Sequence, residues 1–564
     1  MSQFESNFPW ANDSTIIHAE ANNENNCITK IQTTILTKRL AYALRTHFGV
    51  HRNPGNSASV VTCISSNQVL LPVVFYAVVA AGGIYSAAST ASTPQELTRQ
   101  VTQSGSDIIV ASEDTAQTAL DAARRCEIPH ERVLILKSTA VAWSLAAAAL
   151  PEDDERTNHL AETRELTWER ITDLSTLENT TIALLYSSGT TGPPKGVQVS
   201  HANFVAEAII TQAAIAAFLD RTGRRKLGTP TTSYAYRVLA HLPAAHVAGL
   251  QGYFLNGIMA GGTVFWMPRY QFGEFVRAAR RHRITFLSSV PAVFLRISNG
   301  QGENLADFHG GGEESPWSSL LHAQSGAAPM GAELQAAAQK NLRCAVSQAW
   351  GLTETTGAVT WLPWDRSDGA LGSISQLLPN TRMKIVDEVG SSVPDGGVGE
   401  ILVRGPNVSK GYYGNEAATR EAFTEDGWFR TGDIGLRRDG KFYIIDRKKD
   451  LIKYNGLQIA PAEIEALLIS HRDILDAAVI GIPDPHVVGN EVPRAFVVHR
   501  LADDGQQVTA DEVKAFVKEN LAAHKQLRGG VEFMQQIPRN PSGKILRRKL
   551  VDESGVDKQR QKKL

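Results

Sequence analysis

Tyr186-Ser187-Ser188-Gly189-Thr190-Thr191-Gly192-Pro193-Pro194-Lys195-Gly196-Val197 is the stretch on which the reading of this chain turns. It follows the apolar run Ile182-Ala183-Leu184-Leu185, which predicts a short buried strand. A strand that opens into Gly, Ser and Thr with one Lys has the chemistry to wrap an anion. The glycines let the backbone approach, N–H groups and hydroxyls donate to phosphate oxygens, and the lysine adds a point charge. A Walker A loop would end in Gly-Lys-Ser/Thr and lead into a helix. Here Lys195 stands between Pro194 and Gly196, so that template fails. An ordinary solvated turn is the plain alternative, because such residues make loops anywhere.

Outward from this loop the pattern is α/β. Ser59 to Ile64 reads as a strand, Asn67 as the cap of a helix from Leu70 to Ala81 that ends at Gly82-Gly83, and Ile84 to Ala87 as the next strand. A βαβ unit of this kind implies a parallel sheet covered on both faces. Thr93-Pro94 opens another helix, Asp107 to Ala111 and Val133 to Leu136 are further strands, and Pro151 to Glu165 is a polar surface excursion. Gly261 to Met267 and Ile284 to Ser289 read as a pair of strands around a helix.

At 564 residues the chain is too long for one compact core, so two or more domains are expected. A net charge of −1 gives no electrostatic case for nucleic acid or an anionic membrane. Four cysteines, Cys27, Cys63, Cys126 and Cys344, form no CxxC pair, which argues against a disulfide framework or a zinc site and fits a reducing compartment. The polar start, Met1 to Asn26, is no secretory signal, and the run Val69 to Tyr85 is broken by Pro72 and Gly82-Gly83, which excludes a comfortable membrane span. The closing Lys562-Lys563-Leu564 shares only Lys-Leu with a peroxisomal address, so a frayed basic tail in a cytoplasmic protein is favoured over a targeting signal.

The opening loop resembles the phosphate loop of the adenylate-forming enzymes: acyl-CoA synthetases, coumarate-CoA ligases, luciferases and peptide-synthetase adenylation domains. Other stretches carry the same resemblance. Gln348-Ala349-Trp350-Gly351-Leu352-Thr353-Glu354 is similar to the superfamily's adenine and metal motif, with Trp350 where Tyr is common. A carboxylate beside a triphosphate needs a cation, so the resemblance makes Glu354 a Mg²⁺ ligand, direct or through water; otherwise it reads as a capping carboxylate. Gly427 to Asp433 matches the segment whose aspartate accepts from the ribose hydroxyls, and Arg447 takes the place of a second ribose contact. The resemblance assigns ATP and AMP to Ser187, Ser188, Gly189, Thr190, Thr191, Gly192, Lys195, Gln348, Trp350, Gly351, Thr353, Asp433, Arg447, Lys453 and Gln458.

For the acyl group the resemblance points to Ala245, His246, Val247, Ser325, Gly326 and Ala327. His246 stands at the histidine of the acyl-pocket motif, with Ala245 in place of its aromatic partner, a change that would widen or deepen the pocket. By residue type alone, a lone His among small apolar residues is a packed or capping histidine. Val247 occupies the place of the aspartate that anchors an amino group, and offers a buried ammonium no partner, which favours a simple carboxylic acid. Gly399 to Gly405 and Gly411-Tyr412-Tyr413 read as structural turns and strands of a small β subdomain.

The resemblance divides the chain into an N-terminal domain, residues 1–446, and a small mobile lid, residues 447–564, hinged at Lys449. By composition alone, Asp446 to Asp450 is a solvated turn. Asn455-Gly456 signals a type I′ hairpin, and Thr509 with Glu512 a capping box for a helix burying Val513, Phe516 and Val517. Pro541-Ser542-Gly543-Lys544-Ile545 matches the C-terminal catalytic lysine, with Arg547, Arg548 and Lys549 as a solvated helix face. The expected catalytic set is Lys544, Thr353, Glu354 and His246.

The implied activity is an ATP-dependent acid-CoA ligase with Mg²⁺ and CoA, acting on an aryl or fatty carboxylic acid, secondary metabolism being one setting. Aryl-propenoates, aryl-acetates and fatty acids all stay open. Rival readings are an adenylating enzyme that loads a separate carrier protein, a luciferase-like oxygenase and a non-catalytic binding protein of the same fold. Against the last, Lys195, Thr353, Glu354, Asp433, Arg447 and Lys544 are all present.

Overall fold

The computed structural model describes residues 12–51, 58–148, 158–168, 170–187, 194–221, 236–298, 315–361, 370–455, 457–487, 490–500, 507–541 and 543–554. The first sheet runs in the order Trp143–Ala147, Val133–Ser138, Ile108–Ser112, Val60–Ile64, Ile84–Ala88, Thr181–Ser187, Lys195–Ser200. Its inner strands are parallel and its two outer strands antiparallel to their neighbours. Val60–Ile64 and Ile84–Ala88 are buried along their whole length, as near-continuous apolar strands in a covered parallel sheet must be. The helix between them, Leu71–Ala81, ends on Gly82 at φ 93°, a left-handed conformation that glycine adopts without penalty.

Asn67 does not cap that helix. Its amide donates to the carbonyls of Ala240 and Leu242, each at 2.9 Å, and its carbonyl accepts from the N–H of Ala244 at 3.0 Å. The helix begins on Leu70 with no side-chain cap, while the Asn67 side chain satisfies buried backbone groups of a distant loop. The first sheet is thereby tied to the segment that carries His246.

The second sheet runs Arg237–Ala240, Thr263–Trp266, Ile16–Glu20, Cys27–Thr29, and a parallel trio runs Phe286–Ser289, His322–Ser325, Ala345–Gln348. The N–H of Thr285 donates to the carbonyl of Arg237 at 3.1 Å and so sets the trio beside the second sheet. The strands flanking helix Phe272–Arg281 are therefore not neighbours, because Arg237–Ala240 lies between them. Phe75 from the first sheet's helix and Trp266 from the second sheet meet across Phe254, with ring centroids 5.5 and 6.0 Å apart. One apolar core thus joins both sheets.

A four-stranded antiparallel sheet follows, Arg382–Val386, Val398–Arg404, Phe429–Arg438, Lys441–Arg447. Beyond it lies the hairpin Ile452–Tyr454 with Leu457–Ile459, then the sheet Ile474–Pro483, Glu491–His499, Val531–Phe533. Helices Pro461–Ser470 and Ala510–Asn520 cover this last sheet, the second starting on the expected Thr509–Glu512 capping box. The core beneath them, including Ile464, Val479, Val497 and Val517, gathers only residues from Ile452 onward. Phe516 is half-buried, its ring set edge-on to His471 at 4.8 Å.

Two charged segments differ from their compositional reading. Asp446 is buried rather than solvated, and accepts from the N–H groups of Arg447 at 2.7 Å and Ala462 at 2.9 Å. Arg547 does not face solvent: it donates to the carbonyl of Val479 at 2.8 Å and to Glu465 at 3.2 Å, and lies 3.8 Å from Asp450. Paired carboxylates compensate a guanidinium taken out of water. Among the described residues, no helix is long and apolar enough to cross a membrane.

Candidate active site

Strands Phe429–Arg438 and Lys441–Arg447 bring Asp433 opposite Arg447. Arg447 Nε lies 2.6 Å from Asp433 Oδ1, and Trp350 Nε1–H donates to Asp433 Oδ2 at 2.8 Å. Gly432, at φ 68°, and a register shift after Ile434 shape the strand here. Asp433 is buried, which pushes its carboxyl up, while Arg447, Trp350 and the Lys544 charge oppose that shift. The carboxylate is thus a fixed, already oriented acceptor.

Trp350 belongs to the strand Trp350–Leu352, paired with Gly357–Thr360. A Cβ on Gly351 would lie 1.9 Å from the carbonyl of Gly357, so this position tolerates only glycine. The side chain of Gln348 is bonded within the protein, which leaves its backbone for the expected nucleotide contact. Its side chain accepts from Met330 N–H at 3.1 Å and donates to the Met330 carbonyl at 2.9 Å and to Gln335 at 3.1 Å. Its amide is committed to packing the loop after Ser325-Gly326-Ala327, where Ala327 takes a strained φ of 67°.

Thr353 and Glu354 form the 3₁₀ turn Thr353–Thr355. Glu354 is buried, and its Oε1 accepts from the hydroxyl of Tyr412 at 3.0 Å. The Lys195 ammonium stands 5.0 Å from the centre of the Tyr412 ring. Tyr412 therefore links the end of the opening loop to Glu354, a role its reading as part of a structural turn missed. Its phenol is pushed up by burial and by the adjacent carboxylate. Ser187 and Lys195 face each other across antiparallel strands at the mouth of the loop, whereas Ser188, Gly189, Thr190, Thr191 and Gly192 lie outside the described residues.

A cavity of ≈ 140 Å³ opens beside this arrangement, bounded by His246, Val247, Gly326, Ala327, Trp350 and Gly351. Ala245 and Ser325 are not on its wall. Ala245 packs against the main core, and Ser325 is buried at the end of its strand. His246 Nδ1 accepts from the N–H of Ala248 at 3.3 Å, which leaves the ring proton on Nε2. Burial, then the Lys544 charge, bring the imidazole down to about 4, so it is neutral near pH 7. Glu207, on helix His201–Arg221, also lines the cavity. It accepts from Ala358 N–H at 2.8 Å and from Asn407 at 3.2 Å, and burial pushes it up to about 8.

Lys544 comes to this site from the C-terminal unit. Its N–H donates to Asn540 Oδ1 at 2.8 Å, its carbonyl accepts from Asn540 N–H at 2.9 Å, and Arg539 braces the loop through the Gly543 carbonyl at 3.0 Å and Asp476 at 2.8 Å. A Cβ on Gly543 would lie 2.7 Å from Val290, a residue of the cavity wall. The Lys544 ammonium is close enough to Asp433 and His246 for its charge to act on both, and burial and Arg447 lower its own affinity for the proton. Lys449 is likewise lowered, to about 8, by burial. Lys453 and Gln458 face each other across the hairpin and are exposed; Gly456 and Ser542 lie outside the described residues.

The sequence matches the AMP-binding enzyme family over residues 12–413 and the AMP-binding enzyme C-terminal domain over residues 463–544. A chain from Emericella nidulans, named provisionally as an acyl-coenzyme A synthetase, is 48% identical over 562 residues, covering 100% of this chain and 96% of that one. A phenylacetyl-CoA ligase of Aspergillus niger is 32% identical over 544 residues, covering 95% and 93%. In fold, the chain is similar to the ATP-bound MatB of Rhodopseudomonas palustris, with a TM-score of 0.77, 24% identity and 98% of each chain covered. On these matches the chain belongs to the AMP-binding enzyme family, among the acyl-CoA synthetases and 4-coumarate-CoA ligase-like members.

Proposed function

We propose that this chain is an ATP-dependent acid-CoA ligase that works through an acyl-adenylate. A carboxylate oxygen attacks the α-phosphorus of ATP, and the bond from that phosphorus to the bridging oxygen of pyrophosphate breaks. The sulfur of CoA then attacks the acyl carbon, and AMP leaves with the bonding electrons. The reading rests on one observation above all: a half-buried lysine from the C-terminal unit stands within charge reach of both Asp433 and the cavity residue His246. Two anions must meet in the first step, and a fixed cation at their meeting point offsets the charge that keeps them apart.

Within this reading Lys195, with the loop before it, holds the phosphates that leave, Asp433 and Arg447 hold the ribose, and Trp350 bounds the nucleotide. His246, neutral with its proton on Nε2, donates to the carboxylate of the acid. Glu354 suits Mg²⁺, since it presents carboxylate oxygen, the donor this hard cation prefers, beside the lysine-bearing loop. The metal, when bound, offsets the charge of the leaving phosphates. The segment from Arg447 through Lys449 serves as the hinge between residues 1–446 and 447–564, and turning the C-terminal unit about it withdraws Lys544 and gives the thiol access. The exposed Lys453 and Gln458 would meet the adenylate in that second arrangement.

Free cysteines suit a compartment that keeps thiols reduced, the cytoplasm or the peroxisomal matrix. The test is pyrophosphate release across a panel of aryl and fatty acids, with products identified by mass with and without CoA. Acid-dependent release and a CoA thioester are expected. Thioester formed only on a separate carrier protein would change the acceptor, and no acid-dependent release would overturn the reading.

A further inference from the structure

Val60–Ile64 is the strand at which the first sheet changes direction: the next two strands in the chain, Ile84–Ala88 and Ile108–Ser112, pair on its opposite edges. The carboxyl end of such a strand is a place where open α/β sheets build sites. Here the chain leaving that end carries Asn67, which grips the loop following strand Arg237–Ala240 of the second sheet. Asn67 is 7% exposed. Its amide donates to the carbonyls of Ala240 and Leu242 at 2.9 Å each, and its oxygen accepts from the N–H of Ala244 at 3.0 Å. The Ala240 carbonyl already accepts from Met267 N–H at 3.1 Å, so the bond from Asn67 adds restraint rather than rescuing an orphaned group. A second brace reaches the same loop from Tyr253, whose hydroxyl accepts from Leu242 N–H at 3.2 Å.

The clamped segment runs directly into His246. The Pro243 carbonyl accepts from His246 N–H at 3.1 Å, and the His246 carbonyl accepts from Leu250 N–H at 2.9 Å. A Cβ on Gly249 would lie 2.3 Å from the Pro243 oxygen, so the backbone after His246 packs straight onto the clamped backbone before it. Contacts this close leave little slack. A shift of Leu242, Pro243 or Ala244 is therefore carried to the imidazole, which borders the cavity.

Resting on the ligase reading, we propose that Asn67 is a positioning residue for His246: it holds the loop that aims the Nε2 proton at the carboxylate of the acid, and acts on turnover only through that histidine. A small misplacement of an orienting group, on the order of 1 Å, can cost up to about a hundredfold in rate. A buried asparagine that merely joins two sheets would also lower activity when removed, by weakening the fold. The two roles differ in whether the loss depends on His246 being present.

The experiment is a double-mutant cycle in kcat/KM for the acid, read as pyrophosphate release from the native enzyme, Asn67→Ala, His246→Ala and the double variant. Phenylacetate, 4-coumarate and decanoate are each tried, and the best of the three serves for the whole cycle. ATP affinity is titrated separately in the absence of acid. Asn67→Ala should lower kcat/KM for the acid by about tenfold or more, leave the ATP dissociation constant within about twofold, and cost little further in the His246→Ala background. Asn67→Ser carries the same cycle where the alanine variant does not fold. Independently of turnover, the His246 imidazole resonances of histidine-labelled enzyme, assigned by their loss in His246→Ala, should move in the Asn67 variant. Equal factors in both backgrounds, an unchanged kcat/KM, unmoved His246 resonances, or loss of ATP binding in both Asn67 variants would each overturn the inference while leaving the ligase reading intact. No acid-dependent release by the native enzyme with any of the three acids would remove the ligase reading itself.

Discussion

Arg447 Nε lies 2.6 Å from Asp433 Oδ1, and the two residues face each other across adjacent strands where the chain leaves the antiparallel sheet for the C-terminal unit. The site carboxylate is therefore bonded to the segment proposed to turn. Its second oxygen is fixed by Trp350 at 2.8 Å, so strand, hinge and aromatic wall meet on one side chain. In the proposed function, ligand affinity and the position of the C-terminal unit would be coupled through it.

Trp350→Phe keeps the ring's bulk and removes the donor to Asp433. Leaving that buried oxygen unpaired should cost about 1–3 kcal/mol of stability, and the KM for ATP should rise severalfold. Denaturant midpoints and initial rates check both. An unchanged midpoint would mean that the bond does not hold the carboxylate.

The Lys195–Tyr412–Glu354 chain makes a graded prediction. Glu354→Gln should raise the Mg²⁺ concentration for half-maximal pyrophosphate release by on the order of tenfold, as losses of metal-site partners commonly do. Tyr412→Phe, which removes only the hydroxyl donated to Glu354, should give a smaller shift in the same direction. Magnesium titrations at fixed ATP read this, and identical curves for native and Glu354→Gln would exclude Glu354 as a ligand.

Glu207, pushed up to about 8, keeps in the folded state a proton that the unfolded chain releases near 4.5. Across that interval the folded state binds more protons, so its contribution to stability is full below about 4.5 and is lost as pH rises through 8. Glu207→Gln removes this dependence. The stability of the native protein relative to the variant should fall by on the order of a few kcal/mol between about pH 5 and 8.5, read from denaturation midpoints at each pH. Parallel profiles would refute the assignment.

Much of this was legible in the sequence, and the rest was hidden for identifiable reasons. Val60–Ile64, Leu71–Ala81 and Ile84–Ala88 announce themselves through local periodicity and a glycine stop, and Thr509 through its capping box. Asp433, Glu354 and Lys544 were singled out as candidates because short motifs carry them. Asn67 was misread as a cap, and the bonding of the Gln348 side chain was not legible, because their hydrogen bonds go to Ala244 and Met330, partners that only the tertiary fold supplies. Arg547 and Asp446 look solvated in any charge run, and their burial depends on Glu465 and the start of helix Pro461–Ser470. Tyr412 and Glu207 sit in no motif. An isolated Glu in an otherwise apolar stretch of helix was the one signal that could have marked Glu207.

The proposed hinge would separate the two half-reactions. Lys449→Pro restricts the backbone where the C-terminal unit must turn, so adenylate formation should remain measurable while thioester formation slows by roughly tenfold or more. Single-turnover assays of pyrophosphate release and of CoA acylation compare them. Equal losses in both steps would place the turning point elsewhere.

The most direct test of the account is Lys544→Ala, assayed separately in the two steps. Pyrophosphate release from ATP and the acid should fall by on the order of 10²–10³, the loss expected when one fixed transition-state donor is removed, while CoA acylation from supplied acyl-adenylate stays near the native rate. Pyrophosphate release at the native rate would contradict the claim that Lys544 brings the two anions together.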